Sequence, residues 1–190
     1  VALIAFATMW VYHESTQNGF VWDSIEYVIN HFFWISSLSH DNVIWMFLSL
    51  EVANWHPLTW ISWALDYQIY GGLAAWGFHL TNNILHTLNS ILVFILTLVI
   101  FGLNDPASTN YPLRKDNNAL IAAFLTALFF AVHPQHVESV AWIAERKDLL
   151  FQFFLLLATL TYVKYAICEG KVKHGAVECI EQFQVKGSVL

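Results

Sequence analysis

A few ionisable side chains stand out in a chain that is otherwise rich in aliphatic and aromatic residues. Asp23 follows Trp22 in the stretch FVWDSIEYV, just before an apolar run at helical spacing. A carboxylate there can take a proton from a hydroxyl, or cap the helix, a role worth about 1 kcal/mol. Glu138 lies in HPQHVE. Its carboxylate suits Mg or Mn, so Asp23 and Glu138 are the candidate metal pair; a solvated loop acid is the plain alternative for Glu138. His133 and His136 form an HxxH pair that binds phosphate or metal, or else holds its own loop by hydrogen bonds. Two histidines alone are too few for a zinc site. Arg146 carries a planar fork that matches phosphate oxygens. A headgroup anchor, or an ion pair with Glu145 or Asp148, is the competing role. His56 sits among Trp55, Trp60 and Trp63, rings that stack on sugar faces or anchor a helix at the headgroup layer.

These residues must be positioned by elements that live in lipid. Of 190 residues, 57% are hydrophobic and 12% charged, against about 25% charged in a soluble domain. The mean hydropathy is +0.53. The formal net charge of −6 and the lack of a basic run exclude nucleic acid as a partner. Cys168 and Cys179 form neither a CxxC motif nor a disulfide framework. The pattern predicts an all-α membrane protein with about four transmembrane helices, near 1–12, 77–101, 118–132 and 149–167. A loop over 13–76 carries amphipathic interfacial helices. The transmembrane module then covers 1–168, and a polar tail covers 169–190. The chain starts at Val1 within an apolar run, which reads as the end of a membrane helix in a fragment or processed chain.

The crossing over 77–101 is polar in its first half. At 100° per residue His79, Asn82, Asn83, His86, Asn89 and Ser90 fall within an arc of roughly 120°. Lipid cannot satisfy such groups, so the arc is expected to face the bundle or a water-filled cavity. Arg114, Lys115, Lys164, Lys171 and Lys173 on one side outweigh Arg146 and Lys147 on the other. The positive-inside rule then places 13–76 and 133–148 together on the non-cytoplasmic face.

Three motifs in order, ANWHPLTWISWALDYQIYG, HLTNNILHTLNSILVF and HPQHVESVAWIAERKDLL, resemble the membrane half of the TMTC-type proteins, which join transmembrane helices to tetratricopeptide repeats. The resemblance covers roughly residues 20–165. It implies a GT-C fold, that of multi-spanning glycosyltransferases that take a sugar from a polyprenyl-phosphate lipid. It further implies mannose transfer to protein hydroxyls in the animal relatives, and a catalytic acid in a long first outer loop. On that reading Asp23 is the base or orients the acceptor. Glu138 holds a divalent ion, Mg or Mn, against the donor phosphate. His56, His133, His136 and Arg146 contact the substrates. Partners are then membrane lipid, the sugar donor, other membrane subunits or a missing C-terminal part, and the expected location is the bacterial inner membrane.

Two departures from the family pattern are visible. Ser24 stands where the family usually has a second acid, and neither later crossings nor repeats follow the fourth crossing. They motivate a second reading, a non-catalytic membrane subunit or truncated pseudoenzyme that packs against partners. A transporter is a third, although no acid or base sits mid-crossing. Asp66, in LDYQIYG, has no evident role in any of the three.

Overall fold

The computed structural model describes residues 1–103 and 117–168. Among them the chain is helical, with no strand. Helix α1 (Ala2–Tyr12) passes through a 3-10 turn into an irregular segment. Short helices α2 (Phe32–Ile35) and α3 (His40–Leu48) follow, then α4 (Pro57–Tyr70), α5 (Ala75–Leu103), α6 (Asn117–Val132), α7 (Val137–Ala141) and α8 (Arg146–Cys168).

Local chemistry sets these boundaries. The Ser39 side chain accepts from the Asn42 backbone N–H at the start of α3, a standard cap. Pro57 opens α4, and Gly71 closes it at φ 74°, a left-handed conformation open to glycine. A Cβ on Gly77 would overlap the Tyr70 ring, so the α4–α5 corner depends on close backbone approach there. Pro134 ends α6. His133 before it is extended, with ψ 130°, as a residue preceding proline prefers.

Two helical stretches are long and apolar enough to cross a membrane, Ala75–Phe101 with 27 residues and Ile143–Ala166 with 24. Asn117–Val132 and Pro134–Ala141 make a third if the pair, bent by 47°, is one broken span. Helix α1 has 11 residues, short of the roughly 20 that a crossing needs. The described chain therefore provides two spans, or three with the bent pair, where sequence reading expects four. The connector basic residues Arg114 and Lys115, the tail basic residues Lys171 and Lys173, and the tail expected over 169–190 lie outside the described residues.

Packing is of two kinds. Ala123, Ala127 and Ala131 on α6 are fully buried and form one cluster with Ile4 of α1 and Phe94 of α5. Small residues at four-residue spacing let helix backbones approach where lipid offers no hydrophobic drive. The other core is aromatic. Tyr27, Trp60 and Trp63 bury with Val28, Ile35, Met46 and Phe78, and this cluster seats the short helices on the N-terminal half of α5.

Candidate functional site

The polar arc of α5 faces inward along its whole length. His79, Asn82, Asn83, His86, Asn89 and Ser90 are all buried. Asn82, Asn83, His86 and Asn89 bond backbone carbonyls of the surrounding elements, and Ser90 donates to the His86 carbonyl within α5 (2.9 Å). Asn83 donates to the Tyr12 carbonyl at the end of α1 (3.0 Å) and accepts from the Ser15 hydroxyl (3.2 Å). His86 Nε2 donates to the Ala131 carbonyl (3.0 Å), which lost its helical partner when Pro134 ended α6. Asn82 donates to the Val140 and Trp142 carbonyls (3.2 and 3.3 Å), where the backbone extends between α7 and α8. Asn89 donates to the Leu149 carbonyl (3.0 Å) and to Gln152 Oε1 (3.3 Å). One helix face thus ties α1, α6, α7 and α8 together.

Arg146 is fully buried at the start of α8. Its Nη1 forms an ion pair with Asp66 Oδ2 of α4 and donates to Ser62 Oγ (3.3 Å). Nε donates to Asn82 Oδ1, and Nη2 to the Phe78 carbonyl, each at 2.7 Å. The guanidinium carbon lies 5.7 Å from the Phe78 ring centroid. Asp66 is completed by the Thr81 hydroxyl, which donates to Oδ1 (2.7 Å). The fork is therefore spent on protein groups, and the local acids do not share it. Glu145 pairs with Lys147 (2.8 Å), and Asp148 accepts from Ser139 (3.3 Å). Asp66 is the residue that sequence reasoning left without a role. The available signal is one acid in an otherwise apolar aromatic helix, a position that demands a buried cation.

The two loops expected to share a face do meet. Trp22 and Trp142 pack edge to face, with centroids 5.9 Å apart. Trp22 adopts φ 48°, a conformation costly for a bulky residue, so the contact holds a strained backbone. Asp23, next to it, is exposed, and Ser24 is buried. Glu138 is also exposed, and its backbone carbonyl accepts from the Trp142 N–H (3.1 Å). The Asp23–Trp22 corner and the α7 turn bearing Glu138 thus adjoin through one tryptophan pair.

His56 lies elsewhere, inside the aromatic cluster. Its ring stacks on Trp60 (5.5 Å) and meets Tyr27 edge on (5.1 Å). Burial pushes its imidazole down to about 4, with the Lys147 charge adding to the effect. His133 Nδ1 accepts from the Gln135 backbone N–H (3.2 Å). His136 packs against Phe130 (4.5 Å) and the His86 ring (5.2 Å). Among the described residues no group of three or more His, Cys, Asp or Glu side chains is placed to hold a metal ion.

Comparison with known proteins adds a direct line. The chain is 33% identical over 179 residues to Protein O-mannosyl-transferase TMTC4 of Homo sapiens, covering 86% of this chain and 22% of that protein. The chain bears a family-level likeness to the TMTC proteins. Protein O-mannosyl-transferase TMTC2 of Homo sapiens is 30% identical over 138 residues, 73% of this chain and 14% of its own length. Protein O-mannosyl-transferase Tmtc2 of Drosophila melanogaster is 33% identical over 112 residues, 59% of this chain and 10% of its own length. The chain therefore spans about a fifth or less of these TMTC relatives. No family model matches it. No solved structure matches it.

Proposed function

We propose that this chain is a membrane-embedded glycosyltransferase-like module of the GT-C type. It uses a sugar carried on a polyprenyl phosphate and a protein or other hydroxyl acceptor. The observation that carries this reading is the Trp22–Trp142 contact, because it brings the Asp23 corner beside the Glu138 turn. In this reading Asp23 takes the proton from the acceptor hydroxyl. Glu138 faces the donor phosphate, and His133 and His136 line its approach. The oxygen donors of Asp23 and Glu138 fit Mg or Mn, which keep several waters and need few protein ligands; such an ion would supply positive charge to the leaving phosphate. Arg146 acts by position, fixing α8 to α4 beside the site, and His56 supports the aromatic cluster behind it. In this reading the module has four crossings, with α1 counted as one of them. The compartment is the bacterial inner membrane, with 13–76 and 133–148 outside. Other membrane subunits, or sequence corresponding to the rest of the TMTC proteins, complete the assembly.

Transfer of a labelled sugar from a polyprenyl phosphate by the purified protein, abolished by Asp23→Asn, is the expected result. A second reading, a non-catalytic subunit, draws on Ser24. It is buried, and its hydroxyl has no hydrogen-bond partner among the described residues, so the second acid of the family pattern would have no solvated place here. Absence of transfer, with the chain co-purifying with a larger membrane complex, is the outcome that reading requires.

A further inference from the structure

A cleft of about 300 Å³ lies between α7 and the first turns of α8, lined by Gln135, His136, Ser139, Asp148, Gln152 and the apolar pair Phe151 and Leu155 beside Leu149. Its volume is at the lower end of the roughly 300–1,000 Å³ of ligand pockets, enough for a headgroup rather than a single hydroxyl. Along α8 the lining runs Asp148, Leu149, Phe151, Gln152 and Leu155. Asp148 lies at the loop end with Gln135, His136 and Ser139, while Gln152 stands one turn further on between Phe151 and Leu155, both more than half exposed, where α8 runs into the candidate span. A polar loop end beside an exposed apolar face matches an amphiphile whose head sits at the interface and whose chain follows α8 into the bilayer.

The polar end is built to complement hydroxyls. Gln152 Oε1 accepts from buried Asn89, which fixes the amide and leaves its NH₂ to donate. Asp148 accepts from Ser139 on Oδ2, with its other oxygen open to a donor. Donors and acceptors thus alternate around the rim, as a sugar requires. The fixed charge in the lining is an acid, which repels a phosphate. We infer that this cleft binds an uncharged glycolipid through Asp148 and Gln152; it shares His136 with the approach proposed for the anionic donor, but the inference does not depend on whether the chain transfers sugar.

The test uses the full chain in phosphatidylcholine nanodiscs doped with monoglucosyl diacylglycerol, diacylglycerol or phosphatidic acid of identical acyl chains. Retained lipid is counted by native mass spectrometry. The glycolipid is expected to be enriched over both others by about tenfold, the order of a pair of net hydrogen bonds. Asp148→Asn, which keeps shape, and Gln152→Leu should each remove most of that preference, and Asp148→Asn should also raise phosphatidic acid retention. Equal retention of plain diacylglycerol, preference for phosphatidic acid, or a glycolipid preference unchanged in both variants overturns the proposal. Thermal melting of each variant separates loss of the site from loss of the fold.

Discussion

Arg146 and Asp66, 80 positions apart in sequence, form an ion pair that is closed off from solvent between α8 and α4. Because a buried charge without its partner is far worse than the pair, the interfacial helix is locked to the bundle through this contact. Asp66→Asn is expected to destabilise the protein by about 3–5 kcal/mol, measured by thermal unfolding in detergent. Asp66→Leu combined with Arg146→Met should recover much of that loss, since neither charge is then left alone.

The α5 stripe makes a second, smaller prediction. His86 supplies the donor for the Ala131 carbonyl where Pro134 interrupts α6. His86→Phe keeps the ring packing against Tyr12 and Phe130 but leaves that carbonyl unpaired. A cost of about 1–3 kcal/mol is expected, with faster amide exchange confined to the last turn of α6.

The helical character, the long span at the centre and the inward arc of α5 were legible in the sequence because they rest on periodicity and on the cost of polar groups in lipid. The Arg146–Asp66 pair was not, because pairing across two helices depends on how they cross, which no local pattern encodes. Local spacing instead pointed Arg146 at Glu145 and Asp148, and the chain gave those acids other partners. The bend at His133 was legible only as the end of a crossing near 132; its angle and the pairing of the Ala131 carbonyl with a histidine from α5 required the packed bundle.

His56 gives the pH dependence its sign. Its imidazole is held down to about 4 against 6.5 in the unfolded chain. Above pH 6.5 both states are neutral there, and the full stability is present. As pH falls, the unfolded chain takes up the proton first, so stability is lost between pH 6.5 and about 4. The melting temperature should drop across that window in the native protein, and His56→Phe should flatten the drop.

The central claim is that the Asp23 corner and the Glu138 turn, joined by the Trp22–Trp142 contact, serve one site. The direct measurement replaces Cys168 and Cys179 with serine, introduces Asp23→Cys with Glu138→Cys, and treats native membranes with a short bis-maleimide. The account predicts an efficient intramolecular cross-link, lost when Trp22→Ala removes the contact with Trp142. Two cysteines that both react with a monofunctional maleimide and yet never join would contradict it.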